Sequence, residues 1–394
     1  MKFSVLLPTR NRLPLLRYAI ESVRRQDYDD WEIIVSDNFS EEDIAGYVHG
    51  LDDPRIQCFR TERFVPVTEN WNNALERSRG DYMIMLGDDD CLLPNYFATV
   101  RRLVEEHGQP ELLYSSGYVY AYPGVIPGYP EGYLHRSGCA SFLRHSDEPF
   151  LLDRASARQM VEHSLKFQLR FDYNMQYSTV SRCLIEGLRT HGPFFQSPFP
   201  DFYATNAAFL KAERILVCPK PLVVIGISPK SYGFYHFNQQ EQTGMAFLQC
   251  LPDAAVAQRM KKVVLPGSNM NTNWLFAMET LRANYGAEFG LRVHYRRYRD
   301  LHLLSYYESL ATKARTSPEM RKLRRGFRWW ERCLWSSRLR WARFFKKETP
   351  WQLLDQTRKQ FAQYPADWQA EYILQRCTNI LEVFDFIANQ RIEQ

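Results

Sequence analysis

The chain has 394 residues, 45% of them hydrophobic and 24% charged, the composition of an ordinary folded protein and not of a disordered or fibrous one. That length accommodates two domains, or one domain of roughly 250 residues with a large appendage. The net charge of +5 is unevenly placed: Arg321 to Lys347 holds eleven Lys or Arg against the single acid Glu331, a local +10 that leaves −5 for the rest, which argues against a nucleic-acid-binding surface.

Phe3 to Leu7 is an apolar run ended by Pro8, too short for a signal peptide. It predicts a buried strand. Leu16, Ile20 and Val23 then share one face of a helix over Leu13 to Val23. Ile33-Ile34-Val35 marks a second strand, followed by Asp37 and a helix opened by Ser40 with Asp43 three residues on. Ile56 to Arg60 and Glu69 to Ser78 repeat the pattern, the latter stopped near Gly80. Tyr82 to Leu86 is another buried strand, leading into Asp88-Asp89-Asp90 and a helix from Pro94 to about His107. Alternation at this spacing predicts right-handed crossovers and a mostly parallel sheet, with ligands at the carboxyl ends of its strands.

Ser116 to Glu148 is rich in Gly, Pro and Tyr and reads as a lid or acceptor loop. A helix is expected over Asp153 to Leu165, a β-like stretch near Tyr173 to Val180, a short helix over Cys183 to Leu188, and a loop from Phe195 to Pro200 that delivers Asp201 to the next helix. After Leu222 to Ile227 the strand signals largely stop. The expected division is an α/β domain over 1–235 and a mainly helical region over 236–394. No apolar run approaches the ~20 residues that span a bilayer. The eight cysteines, Cys58, Cys91, Cys139, Cys183, Cys218, Cys250, Cys333 and Cys377, lack the close pairing of a zinc site. Free thiols in a reducing cytoplasm are expected.

Three consecutive acids at a strand end raise one another's pKa, and a bound cation relieves the repulsion. Carboxylate oxygens suit Mg²⁺ or Mn²⁺, which keeps positions open for substrate phosphates. A solvated acidic turn is the plain alternative, and the shared sheet edge with Asp37 and the Pro8 turn favours the metal.

Four segments carry a family resemblance: Val5 to Arg12, Trp31 to Asn38, Asn70 to Leu75, and Gly80 to Asp90. Together they resemble the family-2 glycosyltransferases of the nucleotide-sugar-binding GT-A fold, a Rossmann-like mixed sheet with flanking helices. The resemblance covers residues 3 to about 230. It implies that Pro8, Thr9, Arg10 and Asn11 cradle the nucleotide and that Asp37 accepts from the imide N–H of a uracil or thymine. Asn72 matches an asparagine that steadies the donor site, or it braces its loop. Gly87 stands where the family's metal motif has its first aspartate; Asp88 is then read as facing the ribose, Asp89 as the leading metal ligand and Asp90 as the second. His236 matches an additional metal or phosphate contact, or is a packed structural histidine. Asp201, in Ser197 to Tyr203, matches the catalytic base of an inverting transfer, or caps its helix.

The resemblance thus implies a nucleoside-diphosphate-sugar donor, UDP favoured, a saccharide or lipid-linked acceptor, and Mn²⁺ or Mg²⁺, in surface polysaccharide or glycan assembly. It leaves homo-oligomer formation open. A nucleotidyltransferase would show a Gly-rich loop after the first strand, and Pro8 to Asn11 has no glycine. A non-catalytic nucleotide-sugar-binding protein is the other alternative, against which Asp37, Asp88 to Asp90 and Asp201 speak. Within 321–347, Leu323, Phe327, Trp330, Leu334, Trp341 and Phe345 recur at helical steps with arginines between. This basic amphipathic stretch either lies on the anionic inner face of a membrane or docks on protein.

Overall fold

The computed structural model describes residues 1–136, 146–238, 240–267, 269–312, 318–344, 371–373 and 377–392. Cys139, residues 137–145 of the tyrosine-rich stretch and residues 345–347 of the basic stretch lie outside them. Eleven strands form one sheet: β1 Phe3–Thr9, β2 Trp31–Asp37, β3 Ile56–Arg60, β4 Tyr82–Met85, β5 Cys91–Leu92, β6 Leu112–Ala121, β7 Tyr133–Arg136, β8 Phe150–Leu152, β9 Ser178–Ser181, β10 Ile215–Ile227 and β11 Glu371–Ile373. The main path runs β11-β7-β6-β9-β4-β1-β2-β3, and β10 pairs with β5, β6 and β8.

The expected alternation produces the parallel half of this sheet. β1 to β4 pair parallel in the order β4-β1-β2-β3, because helices Leu13–Arg24, Ile44–His49 and Val67–Arg77 carry the chain back between strands. Val5, Leu6, Leu7, Ile33, Ile34, Val35, Met83 and Ile84 are wholly buried, as strands covered on both faces require. β9 then enters antiparallel between β4 and β6, so the sheet is mixed.

Three expectations need correction. The helix after β2 is not opened by Ser40: it spans Ile44–His49 and is capped by Asp43, whose carboxylate accepts from Gly46 N. The stretch from Ser116 is not a structureless lid. β6 continues to Ala121 and β7 returns antiparallel to it, because Tyr and Val fit a pleated surface, while Gly124, Gly128 and Gly132, all at positive φ, supply the turns between. Strand structure also does not end at Ile227, since β11 adds antiparallel to β7.

β10 carries the chain to the functional edge. Its register against β6 shifts on either side of Pro221, where proline cannot donate to a ladder. Beyond the shift, Val223 and Val224 pair with Leu92 and Cys91 of β5. The turn between β4 and β5, which holds the three aspartates, is thereby clamped between two ladders.

From Tyr232 the described chain is mainly helical, and helix Asn269–Phe289 packs on helix Pro200–Lys211. One apolar core runs from Phe3 to Trp335. A second joins Tyr120, Tyr122 and Leu134 to Ile380, Val383 and Phe384 of the last helix, Ile380–Ile392. Among the described residues, no helix is long and apolar enough to cross a membrane, and seven cysteines are free thiols.

Candidate active site

A cleft of about 890 Å³ opens at the carboxyl ends of β1 and β4. Pro8, Thr9, Arg10 and Arg12 line it together with Gly87 to Asp90, Phe171 to Asn174 and Phe199 to Phe202. These groups are spread from Pro8 to Phe202 in the sequence. The sheet brings them to one edge.

The turn after β1 is tied to the turn after β2. Asn11 adopts a left-handed backbone, φ 51, tolerable for Asn. Its N–H donates to Ser40 Oγ at 2.9 Å and its side-chain oxygen accepts from Glu41 N at 2.7 Å. Glu42 reaches back to accept from Leu13 N at 2.6 Å, capping a helix whose own N-cap, Arg12, supplies no side-chain bond. This frees Arg12 for the aspartates. Asn11 thus shapes the cradle from outside the lining, while Pro8, Thr9 and Arg10 face the cleft. The Arg10 guanidinium lies 3.9 Å over the Phe64 ring, and Phe64 is set in place by the Asn38 amide, which both donates to and accepts from the Val65 backbone.

Asp37 is buried, accepts from Ser40 N at 3.0 Å and lies 3.8 Å from Arg60 Nε. Its neighbour Asn38 lines the cleft. Asn72 points away: its amide donates to Phe195 O and Thr68 O and accepts from Phe195 N. It thereby braces the loop that leads to Asp201, while Asn70 and Trp71 supply the lining from that helix.

The three aspartates have three different environments. Asp88 takes Thr9 Oγ1 at 2.7 Å and Arg12 Nη1 at 2.5 Å. Burial pushes its pKa up and the Arg12 charge pulls it back. The guanidinium of Arg12 is itself buried, yet Asp88 and then Asp89 hold it fully charged. Asp90 accepts from Gly226 N at 2.8 Å, Gln176 Nε2 at 2.5 Å and Gly87 N at 2.8 Å. Burial, then the charge of Asp89, push it up to about 7. Both of its oxygens are committed, so it buttresses the turn. Asp89 accepts from Ser228 Oγ at 2.6 Å through one oxygen; the other is 3.5 Å from Arg12 Nη1 and accepts no hydrogen bond among the described residues. His236 lines the cleft with Nδ1 2.5 Å from Glu241.

Gly226 is fixed by contact. A Cβ there would lie 1.9 Å from the Asp89 carbonyl oxygen, which no rotamer relieves. Gly226→Ala is expected to cost about 1–3 kcal/mol, the range for overpacking, and to weaken nucleoside-diphosphate binding because the Asp89–Asp90 turn must move. Urea denaturation with titration calorimetry checks both; an unaltered dissociation constant would show that the turn does not touch the ligand.

Asp201 also lines the cleft. Helix Pro200–Lys211 starts with Pro at N1 and Phe199 as its N-cap, so Asp201 sits in the first turn and does not cap. Its Oδ1 accepts from Phe202 N at 3.0 Å. Burial overrides this and the helix N-terminus, pushing the carboxyl up to about 7. The preceding loop is strained at Ser197, φ 73, and held by Thr68 Oγ1, which donates to Ser197 O at 2.6 Å.

Sequence reasoning missed Gln176, Gly226, Ser228 and the role of Arg12. Arg12 was legible as the second cation of its motif, after Arg10. Gln176 lies in the turn just before β9, Gly226 inside β10 and Ser228 just after it, and the ends of those strands could not be placed in advance.

The family model described as Glycosyl transferase family 2 matches residues 4–165. The chain is 40% identical over 242 residues to the GalNAc(5)-diNAcBac-PP-undecaprenol beta-1,3-glucosyltransferase of Campylobacter jejuni, covering 59% of this chain and 71% of that one. It is 33% identical over 135 residues to the putative colanic acid biosynthesis glycosyl transferase WcaA of Escherichia coli, 32% of this chain and 48% of that protein, about half its length. A crystal structure of S. aureus TarS 1-349 aligns over 78% of this chain and 87% of that one at 16% identity and a TM-score of 0.44, too loose a likeness to build on. The first of these relatives is matched over most of its length, and the chain belongs to glycosyl transferase family 2.

Proposed function

We propose that the chain is an inverting glycosyltransferase that moves a hexosyl group from a UDP-sugar to a lipid-linked saccharide during assembly of a surface glycan. The observation that carries this is a single cleft lined both by Asp88 to Asp90 and by Asp201. An acceptor hydroxyl beside Asp201 would give up its proton to that carboxylate as its oxygen attacks the anomeric carbon, and the diphosphate would leave from the opposite face. The Campylobacter relative is named for transfer of glucose to an undecaprenol-diphosphate-linked glycan, and this supports the same acceptor class.

The residues fit a divalent cation held by Asp89 and completed by diphosphate oxygens. The uncommitted oxygen of Asp89 is the donor the triplet leaves over, and Mg²⁺ commonly takes one or two carboxylates with substrate phosphates. Among the described residues no three His, Cys, Asp or Glu side chains form a closed cage. Bound there, the cation would neutralise the leaving diphosphate. Arg12 keeps the turn in shape by pairing with Asp88, and Arg10 offers a fixed positive charge at the rim.

Incubating the protein with a panel of nucleotide sugars and Mn²⁺ tests the reading. Release of UDP from one donor, rising with a polyprenyl-diphosphate-linked acceptor and lost in excess EDTA, is expected. Full turnover in EDTA would remove the cation. No release from any donor would leave a binding protein.

A further inference from the structure

The basic stretch is not one amphipathic helix. It folds as helices Pro318–Gly326 and Trp329–Phe344, with a break after Gly326. The break splits the apolar series read from the sequence. Leu323, Phe327 and Trp335 are buried, so part of the stretch does dock on the protein. Trp330 and Leu334 are not on that face.

Among the described residues, the contacts that hold the second helix lie on one side of it. Glu331 is buried, pairs through both oxygens with Arg299 at 3.0 and 2.7 Å, and accepts from Arg328 N at 2.7 Å. Trp335 stacks on Tyr307, whose hydroxyl donates to Arg332 O at 3.1 Å. With that side fixed, Trp329, Trp330 and Leu334 are turned outward, 72%, 42% and 46% exposed. Three of the nine exposed large apolar side chains among the described residues thus fall within six positions. Single exposed apolar residues are ordinary, but a cluster marks an interaction surface.

Just ahead of the cluster in the chain, Arg321, Lys322, Arg324, Arg325 and Arg328 are all exposed. Among the described residues none of the five forms an ion pair; the stretch's one acid is spent inward on Arg299. Trp at the edge of a dense positive field fits one partner chemistry: an apolar layer beneath anionic headgroups. We infer that the outward face of Trp329, Trp330 and Leu334, with the five exposed cations that precede it in the chain, is a docking surface for an anionic lipid bilayer. The geometry differs from that of a free amphipathic helix, because Glu331, Trp335 and Leu323 moor the helices to the body. Lipid contact therefore needs no refolding.

Full-length protein sedimented with phosphatidylcholine vesicles, with and without phosphatidylglycerol, tests this with no donor or acceptor present, so it stands apart from the transfer reaction. Binding to the phosphatidylglycerol vesicles alone is expected, weakening as salt rises. Arg324→Glu/Arg325→Glu/Arg328→Glu should weaken it by about fivefold or more for each cation lost. Trp329→Ala/Trp330→Ala should weaken it at every salt concentration. All five side chains are exposed, so circular dichroism of both variants should match the parent. Absent binding, or equal binding to both vesicle types, overturns the inference. So does a concentration-dependent dimer in sedimentation velocity that Trp329→Ala/Trp330→Ala dissolves, which would assign the face to a second copy of the chain.

Discussion

Asp201→Asn is expected to cut turnover by roughly 10²–10⁴-fold while the donor dissociation constant changes little, because a general base acts mainly in the transition state. The substitution keeps size and removes charge. Phe199 holds the N-cap position without a side-chain bond, the amide oxygen of the variant can still accept from Phe202 N as Asp201 Oδ1 does, and a neutral side chain is cheaper to bury than a charged one. Thermal stability should hold or rise. The base must be ionised to accept a proton, and burial pushes Asp201 up to about 7. In the parent, kcat/KM should therefore rise with pH through about 7 and level off above it. Near-normal turnover in Asp201→Asn would transfer the role to another carboxylate. Asp172 lines the same cleft, whereas Glu186 is exposed on helix Arg182–Leu188, outside the lining.

Arg12→Met should destabilise the protein by about 3–5 kcal/mol at pH 8, the cost of leaving a buried carboxylate without its partner. The guanidinium is the one cation among Asp88, Asp89 and Asp90, and without it Thr9 alone serves Asp88. The loss should shrink toward pH 5, because Asp88, already pushed up by burial, then takes a proton and no longer needs a countercharge. Urea denaturation at the two pH values checks the direction. Arg12→Met/Asp88→Leu should recover much of the loss, since a buried pair is often replaceable by well-packed apolar groups. A single-variant loss that is the same at both pH values would place the energetic role of Arg12 in its bond to Lys230 O and not in the charge.

The parallel half of the fold is legible because its signals are local. Ile33 to Val35 is buried whichever strands flank it, and Asp37 and Asp88 to Asp90 follow strand ends directly. The antiparallel half is not. The tyrosines of β6 and β7 resemble a loop until the two segments are laid antiparallel to each other, and their strand character comes from that pairing. Glu371–Ile373 carries no strand signal strong enough to read alone, and only β7 makes it one.

The site divides in the same way. Residue types were legible, but how their atoms are spent was not. Asp90 looks like a ligand until three N–H groups claim it, and the two jobs weighed for Asn72 resolve only when Phe195, distant in sequence, arrives beside it. In the basic stretch, helical spacing read across Gly326 put Leu323 and Trp330 on one stripe. With the break after Gly326, Leu323 is buried and Trp330 is exposed.

The three-residue strand at the sheet's border also bears on how this protein behaves in concentrated solution. A bare β7 would offer a row of unpaired N–H and C=O groups as a template for another molecule. Glu371–Ile373 occupies that row and presents a new border only three residues long, too short to seed a growing ribbon. Shortened versions ending before residue 371 would uncover the template. Such versions should precipitate or form fibrils on concentration even where their catalytic cleft is whole.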